Sequence, residues 1–361
     1  MKKFIISVLA IAASFAITAS AAKLPDYNFK QASELTLLGK LMPTSNPYHR
    51  VDTSAYKGFT KGENLQVRCP AGLSVAFKTN SPSIGIRTIR GQFKKQTSTT
   101  MLSTHGFDLY IKKDGKWLWA AAGAIKGNEK PWQLIRGLGT GEKECLLYLP
   151  LYCEMESVEI GAEDGCTLEA LKNPFKHRIA IFGSSFTHGV STSRAGMAYP
   201  AQFTRHTGIQ MLSLGCSGNC KLQSYFADVL VDAKDIDAFV FDSFSNPNPK
   251  QMRARLFTFI EKIQAAHPGK PLIFQQTIYR EWRNFNSIVD KREQAKMDTA
   301  EELMKEAMAK YKDVYFIYPN ATDEYHETSV DGTHPGDYGY TLWSRSIEKP
   351  ILDILEKYGI K

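Results

Sequence analysis

The chain has 361 residues, 43% hydrophobic and 11% aromatic, a composition that excludes a disordered or low-complexity protein. Its formal charge of +8 is scattered, with no dense Lys/Arg run of the kind that tracks phosphates. A nucleic-acid partner is therefore disfavoured, and only a weak bias towards anionic surfaces or polysaccharides remains.

Lys2 and Lys3 precede an apolar run over 4–17, and Ala19-Ser20-Ala21 supplies a small-x-small cleavage pattern. Residues 1–21 thus read as an export signal cut near Ala21, which places the mature chain in the periplasm or outside the cell. The run is too short and Ala-rich for a membrane span, and no Cys follows it before Cys69, so no stable membrane anchor is expected. Loss of Lys2 and Lys3 lowers the charge from +8 to +6. Roughly 340 residues remain, more than one compact core usually holds, so two domains are expected. Six cysteines in an exported chain permit disulfides. Cys216 and Cys220 bracket a glycine loop, either as a bridge or as two buried thiols. No His lies close enough to make the cysteines a zinc site.

From about residue 35 to 171 the pattern is strand-like, with short runs at 65–68, 74–78, 84–87, 107–111, 117–119, 145–152 and 157–160 separated by Gly, Pro, Asn and Ser. Lys113-Asp114-Gly115-Lys116 reads as a hairpin turn. Strands so spaced without helices predict a β-sandwich or jelly roll over 22–173. Lys172-Asn173-Pro174 marks the junction. Over 174–361 apolar strands at 179–182, 211–214, 238–241, 272–274 and 314–317 alternate with helical stretches, clearest at 251–266, 290–311 and 338–358. That alternation predicts an α/β unit with a parallel sheet covered on both faces.

Reactive groups in such a sheet gather in loops at the carboxyl ends of strands. The first strand ends in Gly183-Ser184-Ser185-Phe186-Thr187-His188-Gly189, a tight turn that exposes a serine. The last loop holds Asp331-Gly332-Thr333-His334-Pro335. A serine needs a base to take its proton, and the base needs a carboxylate to fix its tautomer. Asp331, three residues before His334, is placed to do so. The second strand leads into Gly215-Cys216-Ser217-Gly218-Asn219-Cys220, where a glycine lets backbone N–H groups approach a ligand, and the third into Asp242-Ser243-Phe244-Ser245-Asn246.

Four blocks in this order resemble the SGNH (GDSL-like) hydrolases, named for a serine, a glycine, an asparagine and a histidine. Gly106-Phe107-Asp108-Leu109-Tyr110 is similar to the GxDLY motif of a bacterial subgroup with an N-terminal β-sandwich, and Gly183 to Leu222, with Ser193 to Pro200 inside it, resembles the start of its catalytic domain. The resemblance implies a flavodoxin-like three-layer hydrolase domain and a triad of Ser185, His334 and Asp331. It also implies an oxyanion hole from Ser185, Gly218 and Asn246, with Asn248 as the substitute for Asn246. Ser184 stands where the usual motif has aspartate, and the third block departs from the common G-x-N-D.

The activity implied is serine-dependent hydrolysis of short acyl esters, O-acetyl groups on carbohydrates above all, with no metal or organic cofactor. The implied partner is an acylated small molecule or polysaccharide; the sequence sets no oligomeric state. Lysophospholipid or short-chain lipid ester hydrolysis, and glycan binding without catalysis, are the alternatives. Arg280, Trp282 and Arg283 are expected on a loop beside the cleft as substrate contacts. Trp117, Trp119, Trp132 and Trp282 are each either sugar platforms or core.

Overall fold

The computed structural model describes residues 23–361, so the segment read as an export signal lies outside the described residues. Strands follow in chain order as β1 (Tyr27–Gln31), β2 (Thr36–Leu38), β3 (Ser74–Thr79), β4 (Ser83–Phe93), β5 (Gly106–Lys113), β6 (Lys116–Ala124), β7 (Trp132–Arg136), β8 (Lys143–Tyr148), β9 (Cys153–Glu163) and β10 (Leu168–Ala170). Two antiparallel sheets result, one ordered β1-β9-β4-β7 and the other β10-β3-β8-β5-β6 with β2 on β3. Period-2 patterning decides which side chains meet between them. Val75, Phe77, Phe107 and Leu109 from one sheet share a buried cluster with Ile84, Ile86, Val158 and Ile160 from the other. The hairpin turn forms as read, with Asp114 and Gly115 both at positive φ, as a two-residue connection requires.

Residues 65–68, expected as a strand, are instead the end of helix α1 (Lys61–Arg68). A capping box explains the difference: Thr60 Oγ accepts from Glu63 N–H, and the Glu63 carboxylate accepts from Thr60 N–H at 2.7 Å. A four-residue turn, α2 (Met101–Thr104), precedes β5.

Beyond Lys172-Asn173-Pro174 the strands β11 (Lys176–Gly183), β12 (Ile209–Gly215), β13 (Ala238–Asp242), β14 (Leu272–Gln275) and β15 (Val314–Ile317) form a wholly parallel sheet. Its order is β12-β11-β13-β14-β15, the flavodoxin-like arrangement. The helices are α3 (Ser185–His188), α4 (Tyr199–Thr207), α5 (Ser224–Val231), α6 (Pro249–Ala266), α7 (Ser287–Lys310) and α8 (Asp337–Glu356). Successive strand residues face opposite ways. Ile179, Ile181 and Val240 pack with Phe203 of α4 and Trp343 and Ile347 of α8. Ala180, Phe182 and Phe241 pack with Phe226 of α5, Phe259 of α6 and Leu303 of α7. Connections leave β11 and β13 towards opposite edges, which opens a crevice at their carboxyl ends.

Arg50 joins the two halves. It is 1% exposed, and its guanidinium donates to four backbone carbonyls: Cys69 at 2.9 Å, Gln66 at 2.7 Å, Ser213 at 3.2 Å and Gly215 at 2.9 Å. Replacement by Met leaves these buried acceptors unpaired, so Arg50→Met is expected to destabilise the protein by roughly 2–4 kcal/mol. Urea denaturation followed by tryptophan fluorescence measures this, and an unchanged midpoint would contradict it.

Candidate active site

Ser185 opens α3 directly after β11. Ser184 caps this short helix, its Oγ accepting from Phe186 N–H at 3.1 Å. Two glycines make the turn possible. A Cβ on Gly183 would collide with Thr187 Oγ1, and one on Gly215 with the His188 backbone. Beneath the turn lies the Asp242 carboxylate, 1% exposed at the end of the central strand β13. It accepts from Ser184 N–H at 3.0 Å, Ser184 Oγ at 2.7 Å, Thr187 Oγ1 at 2.9 Å and Ser245 Oγ at 3.0 Å. Burial raises the Asp242 carboxyl above its ordinary range, against the opposing pull of the hydrogen bonds from Ser184, Thr187 and Ser245.

The loop before α8 brings His334 across from 149 positions away. His334 Nε2 lies 2.9 Å from Ser185 Oγ, and its Nδ1 lies 2.8 Å from Asp331 Oδ2. Asp331 Oδ1 also accepts from the N–H groups of Thr333 at 3.0 Å and His334 at 2.8 Å. Partial burial works against ionisation of Asp331, but the hydrogen bonds from the His334 ring and backbone outweigh it and hold the carboxyl well below its usual range. Val330 N–H closes the loop on His334 O at 2.9 Å. The other histidine near the serine, His188, is buried, stacked on Tyr152 with centroids 4.0 Å apart, and hydrogen-bonded to Leu151 O at 2.7 Å. Desolvation pushes its pKa well below the ordinary value, which favours the neutral ring.

Gly218 occupies the third position of a turn closed by Asn219 N–H on Cys216 O at 3.0 Å. Its φ of +76° is what a type II turn demands there. Gln66 of α1 donates to Ser217 O at 3.1 Å, and because the peptide is trans, Gly218 N–H points the opposite way. Asn246 presents Nδ2, a buried donor with no hydrogen-bond partner among the described residues. An unpaired buried amide is costly unless it meets a ligand, and its loop also carries Ser245, held by Asp242.

Asn248, the substitute expected for Asn246, instead caps α6 by accepting from Gln251 N–H at 2.9 Å. Of the expected substrate contacts, only Trp282 is exposed, at 56%. Arg283 is buried and ties its own turn to α7, through Asp290 at 2.8 Å and Gln294 at 2.7 Å. Arg280 is half-buried, its guanidinium 5.6 Å from the Phe186 ring centroid, and it donates to Ser245 O at 2.7 Å and pairs with Glu293 at 3.4 Å, so it braces the Asn246 loop. Residue type signalled a cation near the cleft, but only packing shows which way it turns. Trp132 is core, while Trp119 is 55% exposed.

Cys216 and Cys220 are buried free thiols, as are Cys69, Cys145 and Cys153, and Cys166 is free and partly exposed. Cys220 Sγ turns to Ser243 Oγ at 3.2 Å. Residues that no motif announced hold the acid–base loop. Glu281 accepts from Thr328 Oγ1 at 3.0 Å and pairs with His326 at 2.6 Å, while Trp282 N–H donates to Gly332 O at 2.8 Å.

A hydroxyl, an imidazole and a carboxylate in relay at the switch point of a flavodoxin-like sheet are the arrangement of the serine hydrolases. Residues 176–352 match the GDSL-like lipase/acylhydrolase family, and residues 27–168 match the GxDLY module, the N-terminus of SGNH-hydrolase-type esterases. A crystal structure of a Bacteroides ovatus protein assigned as a GDSL-like lipase is 37% identical with a TM-score of 0.88, over 92% of this chain and 98% of that one. The chain therefore belongs to the GDSL-like lipase/acylhydrolases, ester hydrolases of the SGNH type with an N-terminal GxDLY domain. The fold is shared at 18% identity and a TM-score of 0.70 with a salicylyl-acyltransferase from a tetracycline biosynthetic pathway, over 91% of this chain and 97% of that one. It is shared at 13% identity and 0.59 with a Clostridium thermocellum family two carbohydrate esterase in complex with cellohexaose, over 79% and 93%. No curated protein matches the chain.

A carboxyl held below its ordinary pKa contributes stability above the unfolded value, about 3.9 for Asp, and that contribution is lost as pH falls through the folded value. Asp331→Asn is accordingly expected to be less stable than the parent at neutral pH, with the gap narrowing below about pH 4. Paired denaturation curves at the two pH values test this; a gap that widened on acidification would reverse the sign.

Proposed function

We propose that the protein is a serine esterase that removes short acyl groups, acetyl above all, from carbohydrates, with Ser185, His334 and Asp331 as its triad. The observation that carries the reading is the continuous relay from Asp331 through His334 to Ser185 Oγ. His334 Nε2 takes the Ser185 proton as Oγ attacks the ester carbonyl. The oxyanion is met by the N–H groups of Ser185 and Gly218 and by Asn246 Nδ2, whose lack of a partner among the described residues supports that role. His334 then protonates the departing alcohol, and water releases the acyl group by the same steps in reverse.

A short acyl group is supported by the close packing at the nucleophile. Ser185 is 7% exposed, and Phe186 beside it is pinned between His334 and Trp343 at centroid distances of 5.6 and 5.4 Å. A sugar alcohol is supported by the exposed Trp282 ring, which packs on Gly332 inside the acid–base loop. The fold shared with carbohydrate esterases points the same way. We assign 22–173 to the sandwich and 174–361 to the hydrolase unit, and place the mature protein outside the cytoplasm.

Acetate release from acetylated xylan and pectin, with 4-nitrophenyl acetate as a small-ester control, tests the reading. Ser185→Ala is expected to abolish both; retention of turnover within a few-fold of the parent would refute the triad. Asn246→Ala is expected to lower kcat by roughly 10²–10³ with little change in KM. A variant that altered KM alone would assign Asn246 to ground-state binding.

A further inference from the structure

A groove of about 530 Å³ lies on the seam between the sandwich and the parallel-sheet unit. The tip of the β5–β6 hairpin forms one wall, with Lys116 and Trp117, and α4 and α8 form the other, with Arg205 and Arg345. Its volume is that of a small-ligand site, and no Asp or Glu is among its lining residues. Apart from the exposed Asp114 at the hairpin tip, the nearby carboxylates are already committed. Asp108 of the GxDLY motif is wholly buried and takes Arg194 at 3.0 Å, Gly196 N–H at 2.8 Å and Trp119 Nε1 at 3.1 Å. Glu348 takes His206 at 2.8 Å. Lys116, Arg205 and Arg345 are left without a carboxylate partner among the described residues.

Arg205 is not a loose surface cation. Its guanidinium lies 4.0 Å from the Tyr110 ring centroid and 5.3 Å from that of Tyr148, and it donates to Gly196 O at 2.8 Å. Stacking on two aromatic rings fixes it in one orientation, so little entropy is lost when a ligand anion docks. Trp117, half-buried against Phe175, adds a flat apolar surface beside it. A planar cation fixed next to an indole, with exposed cations at the rim, matches a pyranose ring that bears an anionic group.

The groove and the acid–base loop share one end of α8. Ser193, next to Arg194, donates its N–H to Asp337 at 2.8 Å, three residues beyond His334. Thr341, on the next turn of α8, lines the groove. We propose that this groove binds an acidic saccharide, carrying carboxylate or sulfate, of the glycan chain whose ester reaches Ser185. The proposal rests on the esterase reading for its second clause only.

Calorimetry on the full chain as Ser185→Ala, near physiological salt, tests the groove with an unesterified oligogalacturonate, a sulfated heparin oligosaccharide, neutral xylohexaose and a short DNA duplex. Binding of either acidic oligosaccharide and not xylohexaose is expected, and the one that binds identifies the anionic group. Lys116→Gln/Arg345→Gln is expected to weaken that binding about tenfold with an unchanged melting temperature. Equal binding of xylohexaose, equal binding of DNA, or unweakened binding by the double variant would each overturn the proposal. If the parent failed to cleave 4-nitrophenyl acetate while the acidic oligosaccharide still bound, the esterase reading would fall and the groove would stand.

Discussion

The Asp242 carboxylate sits out of solvent at the carboxyl end of the central strand, and the groups around it fix two loops at once. Ser184 and Thr187 belong to the nucleophile turn, and Ser245 belongs to the loop that carries Asn246. A carboxylate this deeply buried is tolerated only while its lone pairs are filled, so movement of either loop exposes it to a desolvation cost. That penalty makes the two loops rigid relative to each other. The relay from Ser185 to His334 and the placement of Asn246 both depend on that rigidity. Ser184, which stands where the GDSL block usually has aspartate, donates to Asp242 through both its N–H and its Oγ, so a carboxylate still stands beside the nucleophile, supplied by a different strand.

The sandwich acts as a buttress as well as a cover. Arg50 and Gln66 hold the carbonyls of Gly215 and Ser217 and so set the direction in which Gly218 N–H points. On another side, Asp108 anchors Arg194 and Gly196, and the neighbouring Ser193 grips Asp337 at the head of α8, where the His334 loop ends. The GxDLY motif is therefore an attachment point for the acid–base side of the site. Truncating the sandwich would remove supports from both the second-block turn and the acid–base loop.

The parallel strands and the long helices were legible because apolar runs and 3.6-residue periodicity are local signals. Helix 61–68 was not, because its Leu65-Gln66-Val67-Arg68 segment alternates like a strand and the capping box at Thr60 and Glu63 settles the matter from outside it. The order Ser185, Gly218, Asn246, Asp331, His334 was likewise readable, since each residue closes a strand or opens a loop. Arg283 and Asn248 were misread for one reason. Polar residues near a cleft have local partners to satisfy, and Asp290, Gln294 and Gln251 N–H lie within hydrogen-bond reach of them.

By itself, the sequence determined the parallel strands and long helices, the order of the four blocks and the family, because these are written in spacing and residue type along one dimension. Tertiary structure alone decided that His334 faces Ser185 while His188 stacks on Tyr152, and that Arg280 reaches Ser245 O and Glu293. It also decided that Asp242 binds two loops together and that scattered basic residues converge on one groove. Those outcomes depend on which side chains become neighbours when a parallel sheet closes against its helices and the sandwich. Distances between groups a hundred or more positions apart are set by that packing, and no local pattern encodes them.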